Sequence, residues 1–502
     1  MATLDEVLAA AAQFHQRGNF SEAERLYREA LKSDPQSVMA IGNLGALFQV
    51  QKRFDEAIKC YQRVLELQPN HAQAHCNLGS IYKDAQQYDR AIECYQLALQ
   101  GDPALPEAHF NLGVIRQQQR DLAAAGECYR RAIYGKPDYA QAHNNLGTVY
   151  RFENKLAQAM QCYEAALRCR PDFSDAHRNR ALLWLLLGDF RQGWPEFEWR
   201  LRIAGQQNSA YPQPRWQGEP MSGGTVLLVA EQGLGDTLQF IRYATLVKQQ
   251  SKARVLVQCS PALHAILRDV AGIDRLVAPG HAEAPDAEKF DAYVPLLSLP
   301  RVFDTLLETV PADVPYLHAD SQRVQHWRQE LASDGILKVG IGWQGNPDFP
   351  GDYYRSVPLE HFVPLADCQN IRLYSLQKGP GHEQLADWGE RLSIADLGAT
   401  LDEGTGAFVG TAAVMMSLDL VITSDTAIAH LAGALGVPVW VALSWVPDWR
   451  FLLDREDMPW YPTMRLFRQQ RFGDWRGVFA KIADQLRSLS KDRAAKLEDQ
   501  DS

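Results

Sequence analysis

At 502 residues the chain is too long for one hydrophobic core and long enough for about three domains of ordinary size. Hydrophobic residues make up 46% and charged residues 22%, the balance of a folded protein, and a net charge of −10 argues against a nucleic-acid partner, which asks for a basic footprint. No apolar run reaches the roughly eighteen residues of a membrane span, so no membrane insertion is expected; the richest run, Ala181–Gly188, is short. The opening stretch MATLDEVLAAAAQF carries no basic region ahead of its apolar residues. It reads as a first helix and not as a signal peptide, which makes a cytoplasmic protein the expectation.

A period of 34 residues runs through the first two hundred positions. Tyr27, Tyr61, Tyr95, Tyr129, Tyr163 and Phe197 keep it, as do Pro35, Pro69, Pro103, Pro137 and Pro171. Leu-Gly pairs recur at Leu44-Gly45, Leu78-Gly79, Leu112-Gly113 and Leu146-Gly147, and small residues at Ala23, Ala57, Ala91, Ala125 and Ala159. A fixed period of this length marks stacked helical hairpins, each burying its apolar face only against its neighbours. Glycine and alanine let the helices approach, the aromatic rings fill the gap, and proline stops the second helix. The pattern resembles the tetratricopeptide repeat: five full units from about residue 4 to 171, and a degenerate sixth, His177–Arg200, expected to cap an array spanning 1–205. Cys60, Cys94, Cys128 and Cys162 share one register, and the eight cysteines form no CxxC pair. Small packing residues of a reduced protein are expected, not a metal or redox site.

Asparagine precedes the Leu of each unit, at Asn43, Asn77, Asn111 and Asn145, with Asn179 in the degenerate one. Asparagine is a poor helix former with little packing value, so its recurrence asks for a reason. A row of amides can donate to and accept from an extended peptide backbone; tying neighbouring hairpins together is the alternative. The row resembles the asparagine ladder of protein O-GlcNAc transferases, which implies an acceptor polypeptide along the concave face. His75, His109, His143 and His177, two residues earlier, lack metal-ligand company and read as packing residues.

Beyond Pro212 the period stops. Short apolar runs at Gly224–Ala230, Arg254–Gln258, Lys338–Trp343, Ile371–Leu376, Leu420–Thr423 and Pro438–Leu443 alternate with helical stretches, the signature of a parallel sheet with crossover helices. The series starts twice, which predicts two Rossmann-like halves, 206–320 and 321–490, joined across Asp313–Asp334. A closing helix, Asp474–Leu489, is expected to cross back to the first half, and 491–502 to form a disordered polar tail. Ligands of such folds sit outside the carboxyl ends of the strands, so the turns carry the candidate chemistry. After the first strand come Gly235 and Asp236 at a helix start, where Asp236 is either an N-cap or a general base. After the Leu420 strand come Ser424, Asp425, Thr426, Ala427 and, one turn on, His430, a helix start suited to a diphosphate.

These turns resemble those of GT-B glycosyltransferases of the heptosyltransferase-like type. The resemblance spans most of 222–490 and implies an α-solenoid followed by an α/β GT-B fold, its first half on the acceptor side and its second on the nucleotide-sugar side. It implies Asp236 as catalytic base, and Gly235, Ser424, Asp425, Thr426, Ala427 and His430 at the donor. Arg355, in Arg355-Ser-Val-Pro358, stands where the family has a lysine facing the donor phosphates. Trp343, Gln344 and Asn346 fall in a donor-side loop, and Gln377 and Lys378 where the nucleoside is met. Trp445, Pro447, Asp448 and Trp449 fit either a sugar pocket or packing. The implied reaction is transfer with inversion from a nucleotide sugar to a Ser or Thr hydroxyl, without metal or other cofactor; a homo-oligomer is compatible with it. A transferase of lipid or polysaccharide assembly docked through its repeats, and a non-catalytic scaffold, are the alternatives.

Overall fold

The computed structural model describes residues 3–203, 211–280, 289–332, 335–349, 351–398 and 401–500. The chain divides into two compact units, Met1–Asn179 and Arg180–Ser502. Among the described residues no helix is long and apolar enough to cross a membrane.

The first unit is the array. Its five hairpins are α1 Leu4–Gln16 with α2 Phe20–Ser33, α3 Val38–Val50 with α4 Phe54–Leu67, α5 Ala72–Asp84 with α6 Tyr88–Gly101, α7 Pro106–Gln118 with α8 Leu122–Gly135, and α9 Ala140–Phe152 with α10 Leu156–Cys169. A sixth helix pair opens with α11, Ser174–Leu186. Thr3 and Glu6 start α1 with a capping box, which satisfies two otherwise orphaned amides. The Leu-Gly signal has a direct physical meaning. A Cβ on Gly45, Gly79, Gly113 or Gly147 would lie 2.8, 2.8, 2.7 or 2.6 Å from Cε1 of Tyr61, Tyr95, Tyr129 or Tyr163, so each ring occupies the space its glycine vacates. The repeating alanines are fully buried beside them. The turn inside each hairpin carries a left-handed residue at the same register: Gly18, Lys52, Gln86, Arg120 and Asn154, with Gly188 in the sixth pair.

The repeating histidines hold the loops between hairpins. Nε2 of His75, His109, His143 and His177 meets the carbonyl of Pro69, Pro103, Pro137 and Pro171 at 2.8, 3.0, 2.9 and 2.8 Å. The cysteines are free thiols. Burial pushes Cys60 and Cys94 up to about 11, which suits packing and not reactivity.

The degenerate repeat does not end a free-standing array, a correction to the expected boundary at 205. The division falls inside α11, and α12, Phe190–Phe197, is built into the second unit. Its aromatics are the reason. Trp194 packs edge-on to Trp449 and donates its indole N–H to the Thr305 carbonyl at 2.9 Å, and Phe190 packs against Trp460. The fully buried Arg200 then pairs with Glu198 at 2.9 Å and Glu231 at 2.8 Å.

The second unit has two wholly parallel sheets. In the first, β1 Thr225–Val229, β2 Arg254–Gln258, β3 Arg275–Val277 and β4 Ala292–Pro295 lie in the order β3-β2-β1-β4. The second comprises β5 Leu337–Gly342, β6 Ile371–Ser375, β7 Ala395–Asp396, β8 Leu420–Ser424, β9 Val439–Leu443 and β10 Met464–Arg468, in the order β10-β9-β8-β5-β6-β7. Read from its first strand, this is the order 3-2-1-4-5-6 of a doubly wound fold, with a switch point between β5 and β8. The two expected halves are therefore present; Asp334 of the expected crossing lies outside the described residues.

Two expectations fail at the C-terminus. The last helix, Trp475–Gln500, packs on the second sheet's own layer and not across to the first: Val478, Phe479, Ile482 and Leu486 join Phe362, Leu365 and Cys368 in one buried cluster. It also runs through the segment taken for a disordered tail, and Arg493 pairs with Asp419 at 2.6 Å.

Candidate functional site

The two turns singled out by sequence meet face to face. Helix α13, Leu234–Phe240, follows β1, and helix Ala427–Ala434 follows β8. Gly235 is the point of closest approach: a Cβ there would lie 3.1 Å from His430 Cδ2 and 3.5 Å from the Ala427 Cα. Turns of two different halves thus place Gly235 against His430.

Asp236 makes two contacts, one of them the expected cap. One carboxylate oxygen accepts from the Gly233 N–H at 2.8 Å, closing the helix start, and the other pairs with the Arg450 guanidinium. Arg450 is buried, bonds Asp448 at 2.7 Å and lies over the Trp449 ring, 4.6 Å from its centre. Arg355 bonds Asp352 at 3.1 Å and lies over Phe349 at 4.6 Å. Its charge reaches Asp236, Asp425 and His430.

This is a largely buried, charged cluster, and its titration follows from that. Burial pushes the Asp236 carboxyl above the ordinary carboxylate range, against the pull of Arg450 and the Gly233 amide. Burial and the nearby Asp448 push Asp425 up to about 7, against Arg355 and Arg450. Burial, then the charges of Arg450, Arg242 and Arg355, hold His430 well below the usual histidine range. It is a neutral imidazole whose Nδ1 lies 3.2 Å from the Tyr461 hydroxyl. No side chain caps helix Ala427–Ala434: the Thr426 carbonyl accepts from the Ala429 N–H at 3.0 Å, and its hydroxyl lies 3.4 Å from that of Thr423. A helix start without a side-chain cap, near two guanidinium groups, has the chemistry that suits an anion.

Most of the other expected donor residues have their polar atoms engaged within the protein. Trp343 is fully buried, and its indole donates to the Gly381 carbonyl at 3.0 Å. The Gln377 amide is spent on neighbouring loops: its oxygen accepts from the Trp343 and Gln344 N–H groups, both at 3.0 Å, and its nitrogen donates to the Gln344 and Pro380 carbonyls at 3.0 and 2.8 Å. The Lys378 ammonium pairs with Asp402 and bonds the Thr411 hydroxyl at 2.8 Å, which anchors the 401–411 loop. Ser424 is fully buried, its hydroxyl without a partner. Gln344 accepts from Gln384 at 3.2 Å, and Asn346 closes its own turn by accepting from Asp348 N–H at 3.0 Å. Trp449 proves to be packing, whereas Asp448 belongs to the charged cluster. Arg450 escaped the sequence reading. Its signal was an Asp-x-Arg step just past the carboxyl end of β9.

The ladder asparagines are all half-buried. Several have internal partners: Asn77 accepts from Gln73 and Asn111 from Lys83, both at 2.9 Å, and Asn145 donates to the Tyr129 hydroxyl at 3.4 Å. Asn179 donates to Asn144 at 2.9 Å, one hairpin back. The amides therefore do tie hairpins together, and their half-exposure leaves them accessible as well.

Comparison with known proteins bears on the array above all. Residues 37–104, 76–140 and 140–173 match models of the tetratricopeptide repeat, so the periodic region consists of such repeats. Over 333 residues the chain is 25% identical to Protein FlbA of Caulobacter vibrioides, an alignment covering 62% of this chain and 54% of FlbA. The chain thus spans about half the length of that curated relative. Among solved structures, PilF of Pseudomonas aeruginosa is 20% identical with a TM-score of 0.38, over 41% of this chain and 94% of its own. A thermophilic TPR protein of Thermus thermophilus is 18% identical with a TM-score of 0.32, over 36% of this chain and 100% of its own.

Proposed function

We propose that the chain is a glycosyltransferase that moves a sugar from a nucleotide-sugar donor to a Ser or Thr hydroxyl of a polypeptide held by the repeats. The observation that carries this reading is the apposition of Asp236 and Arg450 with Thr426, His430 and the uncapped helix Ala427–Ala434. Two turns from separate halves agree on one site, which packing alone does not require.

In this reading the donor diphosphate lies at the start of that helix and at Arg355. Arg450 is drawn toward the phosphates as well, which frees the Asp236 carboxylate. Burial raises its pKa, which makes the freed carboxylate a better base than an exposed one. The acceptor oxygen attacks the anomeric carbon as its proton passes to Asp236. The bond from that carbon to the diphosphate oxygen breaks, and the negative charge moves onto the leaving diphosphate. Guanidinium groups and helix amides meet that charge in a water-poor site, where fixed dipoles are worth most. In-line attack gives inversion at the anomeric carbon.

The test is a thermal-shift screen of the whole protein against UDP, GDP, ADP, CMP and their sugar conjugates, with and without EDTA, followed by transfer assays with the donor it identifies. Asp236→Asn should lower transfer by about 10²-fold or more with donor binding retained, the scale of a lost general base. Unchanged turnover removes Asp236 from the chemistry, and silence to every nucleotide removes the transferase reading.

A further inference from the structure

A pocket of about 530 Å³ opens on the last hairpins of the array. Three guanidinium groups, from Arg151, Arg170 and Arg178, line it against one carboxylate, that of Asp175. Several arginines elsewhere in the array have close acidic partners: Arg25 with Glu22 at 2.6 Å, Arg53 with Glu24 at 2.7 Å, and Arg130 and Arg131 with Glu127 at 2.9 Å. The pocket differs. Its ion pair, Arg178 with Asp175, is stretched to 3.4 Å. The Nε atoms of Arg170 and Arg178 are buried with no hydrogen-bond partner, and Arg170 is held flat over Phe173, 3.7 Å from the ring centre. Burial lowers the pKa of Arg178, against the pull of Asp175 and with a smaller push from the charge of Arg151.

The same pocket takes in the last two rungs of the asparagine ladder, Asn145 and Asn179, joined through Asn144 by bonds of 3.2 and 2.9 Å. Amides suit a peptide backbone, and a guanidinium fork suits a carboxylate. A protein of net charge −10 has no general attraction for acidic partners, so a local surplus of positive charge must have a local use.

We infer that this pocket selects acidic polypeptide segments. An extended chain lies along the asparagines, and one or two of its Glu or Asp side chains are bonded by Arg151, Arg170 and Arg178. The inference deepens the polypeptide-holding part of the proposed function and is independent of the transfer reaction.

The test uses the full chain and fluorescence anisotropy with short labelled Ser-Gly peptides that carry paired Glu, paired Gln or paired Lys. The Glu peptide should bind on the order of tenfold or more tighter than the Gln peptide, as charge-assisted hydrogen bonds predict, with an advantage that shrinks as salt rises. Arg178→Gln and Arg151→Gln should each erase most of that advantage at an unchanged melting temperature, and Arg178→Lys should keep part of it. Asn111→Ala, outside the pocket, should weaken all bound peptides alike. Equal binding of Glu and Gln peptides, sensitive to Asn111→Ala, would leave the ladder in place and overturn the pocket. Failure of all three peptides to bind would overturn both. Because no donor is present, neither result depends on whether the second unit transfers a sugar.

Discussion

The array and the α/β unit solve the same problem, holding helices at close range, in opposite ways. In the array one solution is repeated: Gly45, Gly79, Gly113 and Gly147 each yield to a tyrosine ring in their own hairpin. In the α/β unit each solution is used once. Gly235 yields to His430 from the other half, and Asp236 is paired with an arginine from beyond β9. Polar satisfaction divides the same way, since the array histidines bond a carbonyl six residues back whereas Arg200 bonds Ser298 across the first sheet. A repeated local constraint leaves a periodic trace in the sequence. A constraint met once, between distant segments, leaves only its separate halves.

The sharpest way to break this comparison is with glycine. Gly113→Ala sets a methyl 2.7 Å from the Tyr129 ring inside packed helices, an overpacking worth about 2 kcal/mol, and Gly79→Ala and Gly147→Ala should cost the same. Gly235→Ala, with its neighbour at 3.1 Å, should cost under about 1 kcal/mol. Urea unfolding measures all four. Unequal losses at the three array positions, or an equal one at Gly235, would contradict the contrast.

A second test lies in pH. The Asp425 carboxyl titrates at about 7 in the folded protein and near 4 when unfolded. Between those values the native state holds a proton that the unfolded chain releases, so this group's contribution to stability falls as pH rises from about 4 to about 7 and is level above. Asp425→Asn should therefore gain melting temperature over wild type through that window and differ least below it. A difference independent of pH would mean the carboxylate is ionised throughout.

Smaller effects probe the repeated loops. His109→Ala should cost about 1 kcal/mol through its lost bond to Pro103, and His143→Ala less, because its bond to Pro137 is exposed to water. Chemical denaturation of the pair ranks them. Smallest and opposite in sign, Gln86→Gly relieves a left-handed residue at φ 59° and should stabilise by up to about 1 kcal/mol, visible as a raised melting temperature.

Legibility followed the same division. The hairpins, the Gly-Tyr pairing and the proline stops could be read from residues alone, because each appears at a fixed register. The left-handed turn residue could not, since Lys52, Gln86 and Arg120 hide a position that Gly18 and Gly188 announce. In the α/β unit the long buried strands β1, β2, β5, β6, β8 and β9 were legible as apolar runs. β3 and β7 were too short, and β10, Met-Arg-Leu-Phe-Arg, alternates like an edge strand and carries no apolar run. At the site, the helix-start motifs around Asp236 and Thr426 were visible because glycine and small residues mark close approach. Arg450 was not, because a lone arginine after a strand has no spacing to betray its partner. Gln377 and Lys378 were legible as residues at a strand end, but that their polar atoms are bonded within the protein is revealed only by tertiary contacts.

The pairing of each glycine with a ring of its own hairpin has one more consequence, for the history of the chain. Each of these four fits lies inside a single hairpin, so the glycine and its ring travel together in any exchange that keeps the hairpin whole. Duplication or loss of one such hairpin leaves the glycine–ring fits of the others as they were, and only the links between hairpins, such as Asn111 with Lys83, have to be met anew.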